Sequence, residues 1–207
     1  MSVVNFSLSS IAKWLLLVTI VFVPVAWSQI DEFALQPGIP ITLAADSSDF
    51  NYETQRLVFH GLRMTQGTLG IAADLAESDR LDFDDGLWIF TGNVVIDSET
   101  TVLFCDEARL KFWEHQLQHA ELRGTPARFE QRDLETQALT EGRATLMIYD
   151  VPSGIVQMTE DAWFSDGSNE IFGSNITYDL KERHITADSG ESGPVKILIE
   201  TPTQDLP

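Results

Sequence analysis

From Ile41 onward, apolar residues recur at every second position and are interrupted by Gly, Asn and Asp at short intervals. Ile41, Leu43 and Ala45 alternate, as do Leu57 and Phe59, Leu62 and Met64, Leu69 and Ile71, Leu87 and Ile89, and Val94 and Ile96. The pattern continues through Val102 and Phe104; Ala108, Leu110 and Phe112; Met147, Tyr149 and Val151; Ile155, Gln157 and Thr159; and Val195, Ile197 and Ile199. Period-two spacing, broken by turn residues every 8 to 12 or so positions, is the pattern of short antiparallel strands with one buried face. It predicts an all-β chain.

One stretch fits a helix equally well, because Leu110, Trp113, Leu117 and Ala120 also fall at helical spacing. An internal repeat decides between the two. A small residue followed by Asp opens each unit, an apolar strand ending in Gly follows, and a second strand leads to the next small-Asp pair. Ala45-Asp46 reaches Gly61, Ala73-Asp74 reaches Gly92-Asn93-Val94, and Cys105-Asp106 reaches Gly124; a more degenerate fourth unit spans Ile148 to Gly173. Asp46 to Gly61 is 15 residues, while Asp74 to Gly92 and Asp106 to Gly124 are both 18. The equal spacing places residues 110 to 120 at a strand-turn-strand position. Stacked units of this kind share one core that none could form alone.

Charge narrows the partners. Thirteen Lys and Arg stand against 32 Asp and Glu, for a formal charge of −19, and the basic residues form no cluster. Such a chain repels a nucleic acid, which is held mainly by cations that neutralise phosphates. Its 43% hydrophobic content is too high for a disordered acidic tail and suffices for one packed domain. The single cysteine, Cys105, forms no intramolecular disulfide and reads as a buried, inert thiol at a small-residue position.

Residues 1–28 differ from the rest. Lys13 is their only charged side chain, and it precedes an apolar run from Trp14 to Val23, the layout of a secretory signal. Ala26 and Ser28 place small residues for cleavage after Ser28. The alternative is an uncleaved inner-membrane anchor, since Ile11 to Trp27 is a charge-free run of 17 residues; Pro24 and the small residues favour processing. Either way the remainder is expected to be exported.

No catalytic or metal-binding motif emerges, and neither catalysis nor a cofactor is expected. Glu114, His115 and His119 lack the His-Glu-x-x-His order of a zinc protease, Gly-x-Ser-x-Gly is absent, and Asp82, Asp84 and Asp85 lack the rest of a calcium loop. These three carboxylates read as a solvated turn.

The residues do resemble a known family, the periplasmic lipopolysaccharide-transport bridge proteins of LptA or OstA type. The resemblance runs from Pro40-Ile41-Thr42-Leu43 and Ala45-Asp46 through Phe59-x-Gly61, Gln66-Gly67-Thr68, Ala73-Asp74 and Phe90-Thr91-Gly92-Asn93-Val94. It continues through Gly124-Thr125-Pro126-Ala127-Arg128-Phe129 and Ile176-Thr177-Tyr178 to Val195-Lys196-Ile197-Leu198-Ile199. Leu62-Arg63 after Gly61 and Cys105 before Asp106 depart from the family pattern. The resemblance implies a folded-over antiparallel β-jellyroll, or β-taco, over residues 38–200, followed by a C-terminal tail at 201–207.

It also implies an open apolar groove that binds lipopolysaccharide acyl chains. The matching groove positions are Ile41, Leu43, Phe129, Met147, Tyr149 and Val151. Composition alone favours these side chains packing as an ordinary sandwich core. The family's partners would be inner- and outer-membrane lipopolysaccharide-transport proteins and further copies of the chain, joined head to tail through edge strands at residues 39–46 and 195–200. Two other readings are a membrane-anchored, LptC-like component of the same transporter and an envelope β scaffold that binds no ligand.

Overall fold

The computed structural model describes residues 35–36, 38–80, 85–190 and 193–199. The signal or anchor segment, the tail from 201, and Asp82 and Asp84 lie outside the described residues. Twelve strands follow one another: β1 (Thr42–Ala44), β2 (Ser47–Asn51), β3 (Arg56–Gln66), β4 (Leu69–Ser78), β5 (Asp85–Asp97) and β6 (Thr101–Trp113). Then come β7 (Gln116–Arg132), β8 (Leu139–Asp150), β9 (Ile155–Ser165), β10 (Asn169–Asp179), β11 (His184–Asp188) and β12 (Lys196–Ile199). All belong to one antiparallel sheet in which β3 to β10 form a continuous meander. No helix occurs among the described residues. Residues 110–120 are the end of β6, a turn at Glu114-His115 with φ of 50° and 61°, and the start of β7. Two positive-φ residues match the twist of the strands they join.

A line of register shifts folds this sheet over. The shifts fall near the middle of the long strands, at Ala72/Leu75, Thr91/Val94, Phe104/Glu107, Arg123/Ala127, Arg143/Leu146 and Gly173/Asn175. Bulges bend a strand and raise its twist, and a row of them makes a corner. At the two edges the chain breaks instead. β2 and β1 pair with the first and second halves of β3, while β12 and β11 do the same for β10. The result is two leaves. The first contains 56–60, 107–113, 116–123 and 175–179; the second contains 62–66, 101–104, 127–132 and 169–172. They face each other, as Phe164 of the second and Tyr178 of the first show with ring centroids 5.4 Å apart.

The small-Asp repeat lies on this corner. Asn93 donates to Asp74 Oδ2 at 2.8 Å, and Thr125 donates to Asp106 Oδ2 at 3.3 Å. At the first break, the Asp46 N–H reaches the His60 carbonyl at 2.9 Å. In the degenerate fourth unit, Glu160 and Asp161 take the corner with φ of 64° and 58°.

Alternation locates the strands, but three pairs of faces differ from expectation. Trp88 and Phe90 point inward rather than Leu87 and Ile89; Leu103 and Cys105 rather than Val102 and Phe104; Val156 and Met158 rather than Ile155, Gln157 and Thr159. In Leu87-Trp88-Ile89-Phe90 every position is apolar, so parity carries no information there. Outward aromatics gain other cover: Arg128 lies 4.2 Å over the Phe104 ring and Arg143 lies 4.7 Å over Trp163. Val195 is half-buried, and Ile197 and Ile199 are exposed on an edge.

Candidate functional site: an apolar cavity between the leaves

At the end of the fold nearest β1, the space between the leaves is filled. Phe59, Trp88 and Phe90 stack with centroids 6.2 and 6.0 Å apart, and Leu62, Met64 and Val94 are buried beside them. Further along, the leaves part around a cavity of about 110 Å³. That is several times the roughly 10–15 Å³ one water needs. Both leaves build it. Leu69, Ile71, Ile96, Leu103 and Phe129 come from the second, and Leu110, Leu117, Leu122, Met147, Tyr149 and Tyr178 from the first.

Three of the six groove positions read from the sequence, Phe129, Met147 and Tyr149, come together in this lining. Ile41, Leu43 and Val151 do not line it; they pack, half-buried, against the surrounding core. Phe129 sits opposite Gly142 in the register of β7 and β8. A β-carbon at Gly142 would overlap the Phe129 ring and stand 3.0 Å from Met158 Sδ, so the glycine makes room for the ring. Phe129, Phe164 and Tyr178 then form an aromatic run with centroids 6.4 and 5.4 Å apart.

Alternation also runs through lining positions that were not singled out in the sequence. Leu117 and Tyr178 belong to apolar patterns, but periodicity gives a face and not a depth between leaves. Leu180 lines the cavity from the turn after β10, where no periodic signal exists.

Among the described residues no charged side chain lines the cavity, and its polar members are Thr101, Gln131 and the two tyrosines. Three guanidinium groups are engaged on the outer faces, where Arg63 meets Asp97 at 2.8 Å, Arg109 meets Glu107 at 2.7 Å and Arg123 meets Glu121 at 2.7 Å. Cys105 is 7% exposed. Burial first, and then the neighbouring Asp106 carboxylate, push its thiol up to about 12, so it stays protonated and is a poor nucleophile. Among the described residues no group of His, Cys, Asp and Glu could hold a metal ion. The arrangement can enclose apolar matter.

Residues 75–184 match the model of the LptA/(LptD N-terminal domain) LPS transport protein family. Among curated relatives, the lipopolysaccharide export system protein LptA of Haemophilus influenzae is 28% identical over 134 residues, covering 63% of this chain and 77% of that protein. LptA of Escherichia coli K12 is 29% identical over 134 residues, covering 62% and 72% respectively. The fold matches the crystal structure of LptH from Pseudomonas aeruginosa, described as the LptA-homologous periplasmic component of the lipopolysaccharide transport device. The TM-score is 0.54 at 17% identity, over 83% of this chain and 99% of that one. The family model spans more than half of the sequence, and the chain belongs to the LptA/LptD N-terminal domain family of lipopolysaccharide transport proteins.

Proposed function

We propose that this protein is a non-enzymatic periplasmic carrier whose two leaves shield lipopolysaccharide acyl chains during transport from the inner to the outer membrane. The observation that carries the reading is the cavity around Phe129, Met147 and Tyr149, which lies between the leaves and whose described lining is apolar and uncharged. Each methylene moved out of water is worth about 0.8 kcal/mol, so acyl chains can be held without a cation. Ile41, Leu43 and Val151, half-buried against the core, would extend the apolar wall when the leaves part. Residues 1–28 would direct export, residues 38–200 form the carrier domain and residues 201–207 a tail.

Copies, or related transport proteins, would join end to end through the sheet edges. β12 pairs with β10 alone, and its side chains are exposed, with Ile197 at 57% and Ile199 at 71%. An apolar edge with unpaired backbone groups is a template for strand addition, and β1 and β2 supply the opposite edge.

A photoreactive residue at Phe129 tests the carrier reading. It is expected to crosslink to lipopolysaccharide, whereas the same residue at Thr136, exposed in the β7–β8 turn, is not. Equal labelling at both sites would overturn the reading.

A further inference from the structure

In β3, Leu62, Met64 and Gln66 share the inward face, and Gln66, the polar member, is only 6% exposed. Its side-chain oxygen accepts the Gln36 N–H at 2.9 Å. Its nitrogen donates to the carbonyls of Gln36 at 3.1 Å and Ile39 at 2.9 Å. The Ile39 N–H in turn reaches the Gln36 carbonyl at 3.3 Å, with Gly38 at a φ of +85° in the turn so closed. One carboxamide thus holds a short segment that precedes β1 and belongs to no strand.

The turn carries Leu35 into the core, where it is 6% exposed. Leu69, the partner of Gln66 across the β3–β4 turn, lines the cavity. The Leu35–Gln36 backbone therefore lies on the inward side of β3, at the lip of the second leaf, next to the pair that Gln66 forms with the cavity residue Leu69. On the first leaf the same end is filled by the Phe59, Trp88 and Phe90 stack. The end of the groove at β1 is closed, while the opposite end carries the exposed strand β12.

We propose that Leu35, seated through Gln36 and Ile39 on the Gln66 side chain, is a displaceable plug in the β1 end of the groove, driven out when an acyl chain occupies the cavity. The inference rests on the carrier reading given above. Two features suit a part that moves. The segment is held by side-chain hydrogen bonds, so its release breaks no strand pairing. Gln66 stands at the lip, where its amide can exchange the lost partners for water and avoid the cost of an unpaired polar group in an apolar site. A leucine or methionine at 66 would serve packing alone; the carboxamide gives the segment one seat.

Amide hydrogen exchange on the full exported chain tests this, with purified lipopolysaccharide as the probe. Without lipid, the Gln36 and Ile39 amides are expected to be protected, and Gln66→Met is expected to reduce that protection about tenfold while β3 stays protected. With lipopolysaccharide bound, the unmodified protein is expected to lose protection at the same two amides. Unchanged protection in protein whose photoreactive residue at Phe129 crosslinks to lipid would overturn the plug and leave the carrier reading intact. Absence of any crosslink at Phe129 would overturn both.

Discussion

The Asp74 carboxylate fills the space that a side chain on Gly92 would need: a β-carbon on Gly92 would stand 2.6 Å from Asp74 Oδ2 and 3.1 Å from Cγ. Gly92 also has a φ of +78°, which L side chains avoid. Gly92→Ala therefore combines backbone strain with overlap at the corner and is expected to cost roughly 1–3 kcal/mol. Urea denaturation would measure it. Adding Asp74→Ala should recover part of the loss, because the overlap goes and the strain remains. Two independent, additive costs would refute the close approach.

Gly142 is a second close approach with a different consequence. Gly142→Ala drives a methyl group into the Phe129 ring at the cavity wall. Overpacking of this kind costs about 1–3 kcal/mol. Because the ring has the cavity on one side, it is expected to turn into it and reduce lipopolysaccharide binding more than stability. Equal binding by the variant would show that the cavity can spare that volume.

The corner was readable because it repeats. Equal Asp-to-Gly spacings in two units reflect equal chain lengths between successive corner positions, and they decided the strand-turn-strand reading of residues 110–120 against the helical one. Depth was not readable. Leu43 occupies an inward position of the edge strand β1 and Ile41, just before that strand, shares its parity, yet both pack outside the lining. The distance between leaves at each point depends on side chains of the other leaf, which alternation in one strand does not encode. Trp88 and Phe90 went unseen for another reason, since uninterrupted apolar runs have no parity.

The acidity has local work in the turns. Asp133, Asp150 and Asp166 lie below the usual carboxylate range, mainly through hydrogen bonds from Thr136, Ser153 and Asn169 respectively. A carboxyl whose folded value is depressed contributes stability that is present above its unfolded value, about 3.9, and lost as pH falls through the folded one. Asp166→Asn is therefore expected to lower the melting temperature at about pH 7 and to lose that difference progressively below about pH 4. A difference independent of pH would assign the loss to geometry rather than charge.

End-to-end joining makes a prediction about two adjacent residues. Consecutive amides of β12 alternate between pointing at β10 and pointing away, so of Ile197→Pro and Leu198→Pro one removes only an outward donor. That variant is expected to keep its melting temperature and to lose concentration-dependent association in size-exclusion chromatography. If neither substitution alters association, the junction lies elsewhere.

Phe129→Asp separates apolar burial from phosphate recognition. The ring is half-buried in the cavity wall and 6.4 Å from Phe164, so a carboxylate there removes aromatic contact and is placed beside lipid tails. An uncompensated polar group in such a site costs about 2–7 kcal/mol, and lipopolysaccharide affinity is expected to fall at least tenfold in protein that still unfolds cooperatively. Raising salt from about 0.05 to 0.2 M should change the affinity of the unmodified protein little, because the described residues of the cavity lining carry no cation to be screened. A phosphate-reading protein would respond in the opposite sense, with a steep salt slope and tolerance of change at Phe129. Such a slope in the unmodified protein would turn attention to Lys181, Arg183 and Lys196, which stand near the β10 to β12 edge. Of these, Lys181 already donates to the Pro152 carbonyl at 2.6 Å, and the Lys196 ammonium lies 5.4 Å over the Phe172 ring. Charge reversal at Arg183, with affinity measured across the same salt range, would then be the deciding comparison.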